Sequence, residues 1–188
     1  MSDQSDTKGN SLWRDAASFS ARAHAGQTRR DGATPYAAHP ARVALTVSSV
    51  FGCDDPETLA IALLHDTVED STTDYEDLLD GFGKTVADGV VALTKDAALP
   101  EAERDRHAEA RLRAGDWRAA LVKLADVLDN SADLTLDASS DHANRRERLR
   151  ARAGWAIDAA RVHAEANAAR AELLRGAADI VEQTFASI

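Results

Sequence analysis

Apolar residues recur along the chain at intervals of three and four, and no segment alternates with a period of two, a pattern that predicts helices throughout. Between Leu12 and Ala25, the residues Leu12, Trp13, Ala16, Ala17, Phe19, Ser20 and Ala23 leave one stripe, which Gly26 closes. The segment from Gln27 to Pro35, carrying Asp31, Gly32 and Pro35, has the chemistry of an irregular loop. His39-Pro40 opens a second helix through Val43, Val47 and Val50 to Gly52, with Pro40 in a first turn where its missing N–H costs little. Asp55-Pro56-Glu57 starts a third, whose nearly unbroken run of Leu59, Ile61, Ala62, Leu63 and Leu64 marks it as central and which is expected to continue through His65 to Asp70. Further helices are expected near Asp74–Leu79 and Gly83–Leu93, after Pro100, and from Trp117 to Leu134. Residues 141–188, rich in Ala, Arg and Glu, add two or three more. The expected class is an all-α bundle of about eight or nine helices, with a mobile lead-in over residues 1–10, a core over 11–138 and a helical C-terminal extension over 139–188 packed on it.

Composition narrows the picture. The 188 residues carry Lys+Arg 22 and Asp+Glu 32, a net charge of −10, and are 44% hydrophobic, which suits one folded domain and excludes collagen-like or disordered chains. Cys53 is the single cysteine, so an internal disulfide or thiolate cluster is excluded and a reducing, cytoplasmic setting is expected. The first residues show no basic segment followed by an apolar run, so neither export nor membrane insertion is expected. The negative charge argues against nucleic acid or an anionic membrane as partner, although a local basic pocket could hold a phosphorylated small molecule.

Candidate chemistry concentrates at a few places. His65-Asp66 and Glu69-Asp70 set four ionisable groups at the end of an apolar helix, a costly arrangement in a core unless a cation or a water-filled cleft compensates them. A helix end emerging into solvent would account for them equally. Lys123, Asp126, Asn130 and Asp133 share one helical face, which could be a site or simply an exposed face. His39 adds an imidazole at the start of another helix. Together His39, His65, Asp66 and Asp126 form an ordinary nitrogen and oxygen ligand set for a divalent transition metal, which can polarise a phosphoryl oxygen and activate water.

The ordered pieces His24-Ala-Gly-Gln27, Arg29-Arg30-Asp31-Gly32, Thr34-Pro35-Tyr36-Ala-Ala-His39-Pro40, Leu63-Leu64-His65-Asp66-Thr67-Val68-Glu69-Asp70, Phe82-Gly83, Thr94-Lys95 and Lys123-Leu124-Ala125-Asp126 resemble the HD-domain hydrolases of the RelA/SpoT type. Leu99-Pro100 followed by Glu103-Arg104 and Arg106 is similar to the stand-alone small alarmone hydrolases. The resemblance implies an HD-domain helical bundle and removal of the 3′-pyrophosphate from guanosine tetra- or pentaphosphate (ppGpp, pppGpp). It implies that His39, His65, Asp66 and Asp126 hold a divalent metal, manganese in this family, and that Glu69 and Asp70 position and activate the attacking water. Arg29 and Arg30 then match the basic pair that packs on the base and meets phosphate, and Asn130 matches a nucleotide-contacting position.

The chain also departs from that pattern. Where the family commonly reads Ala-Asp-Arg-Leu-His-Asn-Met-Arg, this chain reads Ala125-Asp126-Val127-Leu128-Asp129-Asn130-Ser131-Ala132, so two basic residues beside Asp126 are lost. Lys95, Arg104 and Lys123 could restore charge or be solvated surface groups. Removal of the 2′-phosphate of NADPH, and a catalytically weak nucleotide-binding module, are the alternative functions; oligomerisation is left open. The basic run from Arg145 to Arg152 is expected to be a solvated helix face, and His24 to make a structural hydrogen bond near the basic loop.

Overall fold

The computed structural model describes the backbone of residues 4–135 and 141–187, and everything regular among them is helical. The order is α1 (Gln4–Ala23), α2 (Ala38–Leu45) with a π-helical turn (Thr46–Val50), α3 (Pro56–Leu64), α4 (Thr67–Asp70), α5 (Tyr75–Phe82), α6 (Lys84–Leu93), α7 (Glu101–Ala114), α8 (Trp117–Thr135), α9 (His142–Ala166) and α10 (Ala171–Ala186). α1 begins earlier than its apolar stripe: residues 4–10, expected as part of a lead-in, continue the helix through Gly9 and Asn10, and residues 1–3 lie outside the described residues. The expected boundary at residues 138 and 139 also lies outside them.

α3 is the axis of the bundle. Asp55 caps it by accepting from the Thr58 backbone N–H at 2.9 Å and the Thr58 hydroxyl at 2.6 Å, and Pro56 occupies the first turn. Ala60, Ile61, Ala62 and Leu64 are sealed from solvent, and α1, α2, α6 and α8 all pack against this helix. Fully burying each large side chain contributes roughly 1.5–3 kcal/mol, so a helix apolar on every side is stable only at the centre. α6 comes close enough that a Cβ at Gly89 would overlap the Ile61 side chain.

Two local devices shape the site end. The N–H of Phe51 bonds the Thr46 carbonyl at 3.0 Å, widening the last turn after α2 before Gly52 (φ +75°) reverses the chain. In the loop before α2, Asp31 accepts from the Ala33 and Thr34 backbone N–H groups at 2.9 and 2.8 Å, and backbone bonds Arg29 to Thr34 and Tyr36 to Gln27 tie the loop's two arms. Those contacts, led by the Thr34 hydroxyl, hold the Asp31 carboxyl down at about 2.

The helical extension lies along the rest. α9 packs on α8 and α7 through Ala153, Ala156, Ala159, Ala160 and Ala164, and α10 covers α9 and α8 with Leu174, Ala178 and Val181. Small side chains let the axes approach, because interaxial distance is set by what stands at the contact. No helix among the described residues is long and apolar enough to cross a membrane.

Candidate functional site

The third helix does not run on to Asp70. It stops at Leu64, His65 and Asp66 form the junction, and a separate turn, α4, restarts at Thr67. Adjacent side chains on a continuous helix diverge by about 100°, so an unbroken helix would aim His65 and Asp66 apart. The break, with Asp66 at φ −99° and ψ −4°, brings them together: His65 Nε2 lies 3.2 Å from Asp66 Oδ1. The Thr67 hydroxyl, donating to the Leu64 carbonyl at 2.7 Å, spans the junction.

His39, near the start of α2, meets this pair from the side. Its Nδ1 donates to Asp129 Oδ2 on α8 at 2.6 Å, which turns Nε2 inward. His65 Nδ1 donates to the Ala62 carbonyl at 2.8 Å with the same result, and the two Nε2 atoms stand 3.2 Å apart. Asp126 Oδ1 lies 3.3 Å from His39 Nε2 and 3.8 Å from His65 Nε2, while Asp66 Oδ2 lies 3.4 Å from His39 Nε2. His39, His65 and Asp126 each offer a ligand atom within 4.8 Å of the others, all of them buried.

The chemistry of this donor set fits a divalent metal ion. With both Nδ1 atoms committed as donors, the Nε2 lone pairs face one another and two carboxylates, an arrangement that needs a proton or a cation at its centre. Two imidazoles and two carboxylates are a ligand set suited to a borderline divalent ion, and the charge of Asp66 and Asp126 matches it. The protonation balance agrees. Burial disfavours a charged His39, but the bonds it donates to Asp126, Asp129 and Asp66 outweigh it and push its pKa up to about 11. His65 is raised in the same way, against its burial, chiefly by Asp66. Burial would raise Asp126, yet Lys123 and the two imidazoles hold it well below the usual carboxylate range.

Lys123 therefore serves the cage. Its Nζ donates to Asp126 Oδ2 at 2.7 Å and lies 6.0 Å from the Trp155 ring centroid. Asn130 Nδ2 donates to Asp126 Oδ1 at 2.5 Å, and its own Oδ1 accepts from Arg29 at 3.0 Å. The α8 face is thus a site face, with Asp126 and Asp129 buried.

Beside the cage opens a cleft of about 670 Å³. Its walls hold the expected Arg29, Arg30, Lys95, Asn130 and Glu69, together with Arg42, Arg104 and Asp133. Arg29 is drawn toward Asp133 Oδ2, with contacts of 2.7 and 2.9 Å, and lies 5.3 Å from the Tyr36 ring centroid. Glu69 is exposed, its Oε2 accepting the Lys95 backbone N–H at 3.2 Å, and Lys95 Nζ pairs with Asp105 at 3.1 Å. Asp70, also exposed, accepts from the Tyr36 hydroxyl at 2.9 Å; the same hydroxyl reaches Asp66 Oδ2 at 2.7 Å. Gln27 Nε2 holds the Asp70 carbonyl at 2.7 Å and Gln27 Oε1 meets His24 Nδ1 at 2.9 Å, the structural bond expected of His24.

One expectation is extended. Arg145, Arg148 and Arg152 are not only a solvated face: Arg148 is exposed and Arg145 and Arg152 half-buried, and all three line the cleft together with Arg29 and Arg30. Spacings of three and four put them on one side of α9, with Leu149 buried on the same side, and that periodicity within the basic run was the available signal. Asp133 stands on the α8 face that the sequence offers as a site or an exposed face, and Tyr36 enters only as part of a motif, while the sequence reading gives Arg42 and Asp129 no role. The signal for Asp129 is its place three residues after Asp126, whereas Arg42 and Tyr36 acquire their roles only from contacts across the fold.

The HD-domain family matches residues 16–161, so the family region extends well into α9. A Danio rerio protein named guanosine-3′,5′-bis(diphosphate) 3′-pyrophosphohydrolase MESH1 is 44% identical over 117 residues, which cover 62% of this chain and 65% of that protein. The Homo sapiens protein of the same name is 41% identical over 132 residues, covering 68% of this chain and 74% of its own. Among solved structures, one described as a metazoan ortholog of SpoT that hydrolyses ppGpp matches 92% of this chain and 94% of that chain, with a TM-score of 0.70 and 29% identity. A Listeria monocytogenes EGD-e structure shares the fold, with a TM-score of 0.57 and 23% identity over 78% of this chain and 93% of that one.

Proposed function

This chain belongs to the HD-domain family, and on that premise we propose that it is a metal-dependent guanosine-3′,5′-bis(diphosphate) 3′-pyrophosphohydrolase, releasing pyrophosphate from ppGpp or pppGpp. The observation that carries this reading is the convergence of His39, His65 and Asp126 on one point beside a basic cleft. The names of the Danio rerio and Homo sapiens relatives supply the substrate.

His39, His65, Asp66 and Asp126 would hold the ion, which we assign as manganese. When bound, it supplies Lewis acidity toward a phosphoryl oxygen and lowers the pKa of water toward neutrality. Glu69 and Asp70 orient the attacking water and accept its proton, and the bonds from the Lys95 N–H and the Tyr36 hydroxyl keep each carboxylate at the mouth of the cage. Arg29 and Arg30 receive the guanine and a phosphate, with Asn130 bridging the nucleotide to Asp126. Lys95, Arg104, Arg145, Arg148 and Arg152 bring positive charge to the cleft, compensating on α9 for the basic residues that Val127 and Ala132 replace on α8.

The test is product identification. Metal-stripped protein resupplied with manganese is given ppGpp, NADPH and GDP in parallel. Pyrophosphate from ppGpp is the expected result. Orthophosphate from NADPH alone would reassign the chain as a 2′-phosphatase, and nucleotide binding without release from any substrate would reduce it to a binding module.

A further inference from the structure

His39 and His65 present the same atom to the cage but are held from behind by different groups. Behind His65 stands a neutral carbonyl, that of Ala62. Behind His39 stands a carboxylate, Asp129, buried on α8 one turn beyond Asp126. Asp129 is in turn gripped by Arg42, whose Nε reaches Oδ1 at 2.5 Å and whose Nη2 reaches Oδ2 at 2.8 Å, a two-pronged contact of planar groups. Arg42 lies on α2 one turn after His39, so two side chains of α2 close on a single carboxylate of α8.

That geometry has specific consequences. A carboxylate at Nδ1 accepts a hydrogen and cannot donate one, so it keeps the proton of a neutral imidazole on Nδ1 and leaves Nε2 as the atom that can take up either a proton or a metal ion. It also makes that Nε2 more basic than a carbonyl would. A buried carboxylate left without a counter-charge would be costly, and Arg42 removes that cost while fixing the plane of the group.

We propose that Asp129, clamped by Arg42, is a positioning residue that orients His39 for the metal ion. The inference rests on the metal-centre reading above, and its test separates the two. Manganese is titrated into metal-stripped wild type, Asp129→Asn, Asp129→Glu and Asp126→Asn proteins, and free ion is read by its electron spin resonance signal. Wild type is expected to bind one ion, Asp126→Asn to bind none, and Asp129→Asn to bind about 10- to 100-fold more weakly, the usual cost of losing a partner behind a ligating His. Asp129→Glu, which restores the charge, is expected to recover part of the loss. Unchanged affinity in Asp129→Asn would overturn the positioning role while leaving the metal centre intact; no binding by wild type would overturn the metal centre itself. Wild-type protein loaded with diamagnetic zinc and labelled with ¹⁵N provides a readout that needs no variant to fold. A His39 proton on Nδ1, shifted downfield by a carboxylate acceptor, is expected, and an unprotonated Nδ1 would overturn the proposal.

Discussion

In the cage, each imidazole is braced from behind and each carboxylate is met by a cationic or hydroxyl donor: Asp129 and Ala62 hold the imidazoles, Lys123 holds Asp126, and Tyr36 holds Asp66. The adjoining cleft is different. Its arginines project from the loop before α2, from α2 itself, from α7 and from α9, and several are shared with nearby acids, as Arg29 is with Asp133 and Arg148 with Asp141. The cage has one arrangement, set by burial before any ligand arrives; the cleft is exposed, and its long side chains can exchange one anionic partner for another. Preorganisation is concentrated where bonds are broken, and adaptability where phosphates are gathered.

The sharpest way to break this contrast is Asp126→Asn. It should abolish metal binding and turnover while leaving the helical circular dichroism and cooperative melting in place, because a ligand charge is lost at nearly constant volume. Global unfolding would instead make Asp126 a structural residue. Next is Glu69→Gln, at the border of cage and cleft. The variant should keep metal and nucleotide affinity but lose roughly 10²- to 10⁴-fold in kcat, and an unchanged kcat would remove Glu69 from proton transfer.

Substitutions in the cleft should act by degrees. Arg152→Ala is expected to raise KM by about tenfold, equivalent to about 1.4 kcal/mol, with kcat and metal affinity preserved. The difference should shrink as salt is added, since half-exposed charges are screened. A salt-independent fall in kcat would place Arg152 with the cage. The smallest effect belongs to a pair outside both regions. Arg118 on α8 binds the cap residue Asp55 at 2.7 Å, and Asp55→Asn, which keeps a capping oxygen but loses the charge facing Arg118, should cost about 1 kcal/mol at pH 7 without touching metal affinity. Burial pushes the Asp55 carboxyl up, but the bonds from Arg118 and Thr58 prevail and lower its pKa. Its contribution is thus full above the unfolded carboxylate value of about 3.9 and is lost as pH falls through the lower folded value. Melting curves of the variant and wild type should converge in acid.

Helix identity was legible because it depends on neighbours in the chain: the stripe of α1, the apolar run of α3 and the cap at Asp55 all appear in the linear order. His39, His65, Asp66 and Asp126 were legible as candidates because together they make a nitrogen and oxygen donor set and because they stand in an ordered set of motifs that resembles one family. The break at His65-Asp66 was not legible. Helical spacing across residues 59–70 looks continuous, and what repays the interruption is contact with His39 and Asp126, which are remote in sequence. That the arginines of α9 also line a cleft is not legible in the sequence, because a charged run beside water and one beside a cleft have the same local pattern.

By itself, then, the sequence determined an all-helical chain, its central helix and an imidazole and carboxylate set fit for a divalent ion, because periodicity and side-chain chemistry are local properties. Only the tertiary structure decided that Asp129 and Arg42 stand behind His39, that Tyr36 reaches Asp66 and that α9 completes the basic wall. Those facts depend on which helix faces meet, and that is settled by packing over the whole core rather than by any single segment.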